Sequence, residues 1–271
     1  MRSTPEAVTV ETSESHQVRQ GVAAPRIGSV YATAIRTYRR RFGAVALAAV
    51  IIFVPLDVLS SLMTPLAENL NEARDATHYA LFATGLAMGA IVIIVGSTIF
   101  GGVIEGLAAA EQEGDKTPLR SVLRRRPVLR LAVAGILVSV VALVGFALFI
   151  VPGFIVLVLL AIVGPVLAGE RLGVFAALRR SVSLTRRHFL LVAITVTIPL
   201  ALEGVPVRLL EGYSWFDTPL VSVPIDVLST IVFGGIVGML EVTLAHALRA
   251  EDRRRLLARA PAASPADEQQ A

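Results

Sequence analysis

The chain has 271 residues, of which 55% are hydrophobic and 17% charged, with a net charge of +4 and a mean hydropathy of +0.71. A water-soluble domain carries about 25% charged residues, so this chain lacks the polar residues to cover a globule in water. A polytopic membrane protein, whose apolar surface is covered by lipid, fits instead. The absence of cysteine excludes disulfides, thiolate metal sites and cysteine nucleophiles. The basic residues are Arg with the single exception of Lys116, and Ala is abundant, as in the proteins of GC-rich bacteria.

Residues 1–28 are polar without a long apolar run, which predicts a disordered tail rather than a cleavable signal peptide. Ser29 reads as an N-cap. Tyr31, Ile35, Tyr38 and Phe42 then recur at helical spacing, with Arg36, Arg39, Arg40 and Arg41 beside them. An aromatic and apolar face opposite an arginine face predicts an amphipathic helix lying in the membrane interface.

The first span is expected at 43–62, long enough at about 1.5 Å per residue for a hydrocarbon core of about 30 Å. An acidic and polar loop, 68–78, leads to a second span at 79–108. Here Gly85 and Gly89, Ser97 and Gly101, and Gly102 and Gly106 are each four apart, a spacing that lets helix backbones approach closely in lipid. Three such pairs predict a helix at the centre of a bundle.

Thr117 and Pro118 form an N-cap and first-turn pair. Leu119, Val122 and Leu123 follow as a short apolar stripe beside Arg124 and Arg125, and Pro127 ends this second basic helix. A third span is expected at 128–150, a turn at Pro152-Gly153, and a short fourth span at 154–169. The third basic helix, 173–185, aligns Phe175, Leu178 and Val182 and carries Arg179 and Arg180, with Arg186 and Arg187 beyond it. A fifth span at 189–210 precedes Tyr213, Trp215 and Phe216, placed as an aromatic belt. The sixth, 220–248, emerges into an arginine-rich segment and a disordered tail, 251–271.

Six spans put both termini on one side, with 23 of the 25 Lys and Arg there and only Arg74 and Arg208 on the other. The positive-inside rule then places both termini in the cytoplasm of a bacterial cell, with the chain in its inner membrane. The expected architecture is all-α: six transmembrane helices as three hairpins over 29–250, each preceded by a short basic interfacial helix. Internal echoes support three copies of one unit. The string from Ile27 to Ala32 resembles that from Leu172 to Ala177, and Ser97 to Gly102 resembles Ser229 to Gly235.

The residues Val151-Pro152-Gly153, Gly164-Pro165, Glu170, Ala177 to Ser181 and Leu184 to Phe189 resemble the glycerophosphoryl diester phosphodiesterase membrane-domain family. The resemblance implies a six-helix bacterial membrane protein. Some members of that family carry a phosphodiesterase domain after the membrane domain. Only a short tail follows the last span here, so the resemblance implies no hydrolysis and offers no catalytic residue.

His16, His78, His188 and His246 are dispersed and lack metal-ligand spacing. Phosphate loops and nucleophile elbows are missing too, so no enzyme and no cofactor is expected. The candidate acids form two sets. Asp57, Glu203 and Asp226 fall in the outer halves of spans, where an ionisable group costs about 2.5 to 3.5 kcal/mol on insertion scales. They read as a cation or proton site, or a polar substrate cavity, of a small transporter or channel; in the alternative, Asp226 lies at the headgroup level and Asp57 and Glu203 are protonated or hydrogen-bonded. Glu105, Glu170 and Glu241 lie near the inner boundary, where pairing with the basic helices is expected to pin each helix to its span. The clusters of Arg39, Arg40, Arg124, Arg125, Arg179, Arg180, Arg186 and Arg187 are expected to draw anionic lipid headgroups, about 1 kcal/mol per charge. The partners implied are lipids and a membrane protein, not a nucleic acid. A non-enzymatic scaffold or accessory role is the leading expectation, and transport the alternative.

Overall fold

The structure is a computed structural model and describes residues 27–68, 76–112, 121–122, 128–203, 205–210, 213 and 219–259. Within these, ten α-helices and a π-helical segment are found and no strand. They are α1 (Ile27–Glu68), α2 (Ala76–Gln112), α3 (Val128–Leu148), α4 (Ile150–Leu160), α5 (Val163–Glu170), α6 (Val174–Thr185), α7 (Phe189–Glu203), α8 (Val205–Leu210) and α9 (Pro219–Ser229). The π-helical segment Thr230–Gly234 then leads without a break into α10 (Gly235–Arg259).

Among the described residues, four stretches are long and apolar enough to cross a membrane: Ala83–Ala110, Val128–Leu148, Ile150–Glu170 and Val227–Ala258. A fifth results if Val174–Thr185 and Phe189–Pro199, bent by 103°, count as one. The expected first span, 43–62, lies within α1, whose backbone departs from helical geometry only at Arg41 (φ −112°, ψ 18°). The apolar surface points both ways. On α3, Leu131, Ala134, Val138 and Ala142 are buried, whereas Val133, Ile136, Val140 and Val144 are exposed on the opposite side. A helix apolar all round and half uncovered requires lipid on its outer face.

Helix α2 packs against α1, α3, α5 and α10, the central place its small residues predict. The glycines that do the packing are only partly those expected. A Cβ on Gly102 would lie 2.6 Å from the Leu131 side chain, and one on Gly101 would lie 3.1 Å from the Pro165 ring. Gly85 and Gly89 instead face open space. Closer backbone approaches occur at Gly135, where a Cβ would lie 2.7 Å from Val95 Cα, and at Gly164, which sits on the backbone of Thr98.

The chain reverses at Phe149, not at Pro152-Gly153. Phe149 is extended (φ −164°, ψ 157°), donates its N–H to the Gly145 carbonyl at 3.0 Å, and accepts from Gly153 N–H at 3.3 Å. Pro152 is the third residue of α4, in the first turn, where a missing N–H costs no helical bond. The span after the turn therefore starts at Ile150 and, with α5, reaches 21 residues rather than 16. It breaks at Ala161 and Ile162, ahead of Pro165, which cannot donate to the Ala161 carbonyl.

The buried faces of the basic helices are shifted from the expected stripes. In α1 the buried residues are Val30, Ala34 and Tyr38, while Ile35 and Phe42 are exposed. In α6 they are Ala177, Ser181, Leu184 and Thr185, and Phe175 is 71% exposed. Small residues lie inward because α6 packs closely on α3, α4, α5 and α10. Ser181 Oγ donates to the Leu159 carbonyl at 2.9 Å, one of the last four carbonyls of α4. Ser29, expected as a cap, lies inside α1, and α10 runs nine residues past 250, where the membrane domain was expected to end.

Candidate functional site

Where α2, α5, α6 and α10 meet, side chains of alternating charge form a continuous ladder. It begins at Glu105 on α2, which is 2% exposed. Its Oε1 accepts from Arg249 Nη1 at 3.1 Å and lies 3.0 Å from His246 Nε2, both on α10. Arg249 Nη2 also donates to the Pro165 carbonyl at 3.0 Å, and its Nε lies 3.5 Å from Glu170 Oε1 at the end of α5. Glu170 Oε2 is 3.4 Å from Arg180 Nε on α6. Arg180 Nη1 then donates to Asp252 Oδ2 at 2.7 Å, and Asp252 Oδ1 lies 3.7 Å from Arg187 Nη1. One rung to the side, His188 Nε2 is 3.1 Å from Glu251 Oε2, and Arg255 donates to Glu251 Oε1.

Local sequence explains how these groups converge. His246, Arg249 and Asp252 recur every three residues and so lie along one side of α10. Gly169 leaves the room the ladder needs: a Cβ there would lie 2.7 Å from Arg249 Nη1. Arg171 follows in the left-handed region (φ 52°), capping α5 and turning the chain toward α6. At 12 residues α6 is too short to cross a bilayer alone. Burial alone would lower the Arg180 pKa. The hydrogen bond to Asp252 and the charges of Glu170 and Asp252 more than offset it, holding the guanidinium above its ordinary range. Arg180 therefore stays charged at any working pH.

Carboxylates and guanidinium groups in salt contact tie four helices at one end of the bundle. Buried Glu105 Oε2, Glu170 Oε1, Arg249 Nε and Glu251 Oε2 remain without a hydrogen bond, though all but Glu105 Oε2 are in ionic contact themselves. Among the described residues, no three His, Asp or Glu come together as a metal site.

The expected boundary acids thus divide. Glu105 and Glu170 are paired, but Glu105 takes its cations from α10 rather than from a basic helix. Glu241 is the correction. It is buried on α10, its Oε2 is 3.2 Å from where a Gly101 Cβ would stand, and no described residue pairs with it. It lies too far inside the bundle for the arginines of the boundary, about two helical turns along α10 from Arg249. Of the basic residues, Arg180 and Arg187 belong to the ladder, whereas Arg39, Arg40, Arg179 and Arg186 are exposed. Arg124 and Arg125 lie outside the described residues, as do the side chains of Asp57, Glu203 and Asp226. Sequence reasoning missed His246, Arg249, Glu251 and Asp252, which it had assigned to a span end and a tail. The three-residue spacing on α10 was the available signal.

No family model matches the chain, and no curated protein and no solved structure matches it. The resemblance to the membrane-domain family rests on the residues that carry it.

Proposed function

We propose that this chain is a non-enzymatic, multi-pass protein of the bacterial cytoplasmic membrane, related to the glycerophosphoryl diester phosphodiesterase membrane domains. In this reading it has six spans in three hairpins and both termini in the cytoplasm, and acts as a scaffold or accessory domain that engages anionic lipids or a membrane partner.

The observation that carries the reading is the division of the arginines. Arg180, Arg187, Arg249 and Arg255 face acids within the ladder. Arg39, Arg179 and Arg186 stand exposed at the bundle surface. Exposed guanidinium groups next to a lipid-covered helical body suit phosphate oxygens, which they bind bidentately. Native mass spectrometry of the protein released from membranes tests this. Anionic phospholipid should remain bound in excess of its share of the membrane; retention in proportion to bulk composition would refute the reading.

Transport through the outer-half acids is the second reading. Among the described residues its supporting feature is Glu241, a buried carboxyl without a cation; the side chains of Asp57, Glu203 and Asp226 lie outside the described residues.

A further inference from the structure

We propose that Glu241 is a proton-exchange site inside the bundle, reached from the charged end through Glu105 and His246. Glu241 is nine-tenths buried and has no ion-pair or hydrogen-bond partner among the described residues. Its carboxyl occupies the space that Gly101 leaves open between α2, α5 and α10, beside the Pro165 ring. A bare carboxylate is not sustained at that depth without a cation, a proton or water beside it. A proton neutralises the carboxyl where it stands.

The surroundings give the site a direction. Toward the far end the seam is closed. A Cβ on Gly238 would lie 2.6 Å from Phe100, and the Phe100 ring meets Phe53 with centroids 5.3 Å apart. Met239 and Leu240 are fully buried beside them. Toward the charged end the first polar residue along α2 is Glu105. Glu105 lies one helical turn beyond Gly101 on α2, and its buried Oε2 has no hydrogen-bond partner. Its Oε1 meets His246, whose side chain is 29% exposed. The ionisable groups on the packed elements include Glu105 on α2, Glu170 on α5, His246 and Arg249 on α10, and Tyr38 on α1. A proton leaving Glu241 passes to Glu105 or His246 and then to water. One charge moves, and water is the only co-reactant.

Modification by a hydrophobic carbodiimide in vesicles holding the full chain tests this. The carboxyl proton moves to a carbodiimide nitrogen, the carboxylate oxygen bonds to the central carbon, and the adduct rearranges to a stable N-acylurea. Peptide mass mapping should place the adduct on Glu241. The label should be lost when pH is raised on the side of the charged end, and kept when it is raised only on the other. Glu105→Gln should slow the loss. Should that variant fail to fold, the one-sided pH series on the unaltered chain decides alone. No adduct on Glu241, or an adduct insensitive to pH on the charged side, would overturn the proposal. Lipid retention would be unaffected either way, so the two readings fail separately.

Discussion

Tyr31 donates its hydroxyl to the carbonyl of Thr195 at 3.2 Å, and that carbonyl is the one Pro199 leaves without a helical partner. Tyr38 likewise donates to the Ile231 carbonyl, 3.3 Å away in the π-helical segment, with its ring against Gly235. The first helix is thus fastened where the membrane helices deviate from regular geometry. In lipid, irregular backbone persists only where such groups satisfy it.

Tyr31→Phe should therefore lower stability by about 1 kcal/mol. In a Pro199→Ala background, which restores the missing N–H, the same change should cost close to nothing. Thermal unfolding of the four proteins of this cycle checks the coupling. Equal losses in both backgrounds would show that the two residues act independently.

Arg249 holds the ladder together, since it touches Glu105, Glu170 and the Pro165 carbonyl at once. Arg249→Gln leaves buried acids without their cation, which costs about 3–5 kcal/mol. Arg255→Gln removes a pair whose arginine is 44% exposed, worth less than about 1 kcal/mol. Unfolding midpoints in one detergent should separate the two variants by that margin.

Gly164 faces backbone rather than flexible side chains. A Cβ there would lie 3.2 Å from Gly102 N and 3.3 Å from the Thr98 carbonyl carbon, neither of which can rotate away. Gly164→Ala should destabilise by about 1–3 kcal/mol through overpacking. Gly85→Ala points into open space and should show no loss.

The helical class, the central place of α2 and the pairing of Glu105 and Glu170 were legible in the sequence because they follow from hydropathy, small-residue spacing and charge near span ends. Three things were not. The turn at Phe149 carries no turn residue, and the Pro152-Gly153 pair misleads because proline in a first helical turn loses nothing. The buried face of α6 is chosen by which residues are small enough for close packing, so Phe175 gives way to Ala177 and Ser181. The partners of Glu105 lie over 140 residues away on α10, brought close only by the packing of α2 on α10 and by the lack of a side chain at Gly169.

Topology is open to direct labelling because the chain has no cysteine. Tyr213→Cys should react with an impermeant thiol reagent from outside intact cells, while Arg253→Cys should react only after permeabilisation. The opposite pattern would invert the assignment of the charged end to the cytoplasm.

Lipid retention and stability should respond to different arginines, and measuring both on two variants tests the central claim most directly. The triple variant Arg39→Gln, Arg179→Gln, Arg186→Gln removes exposed charges worth about 1 kcal/mol each toward an anionic surface. Native mass spectrometry should show it stripped of anionic phospholipid, with its unfolding midpoint unchanged. Arg180→Gln breaks the ladder and should do the reverse, unfolding earlier with its lipid retained. If the triple variant holds as much anionic lipid as the unaltered protein, the exposed arginines do not engage headgroups and the account is wrong.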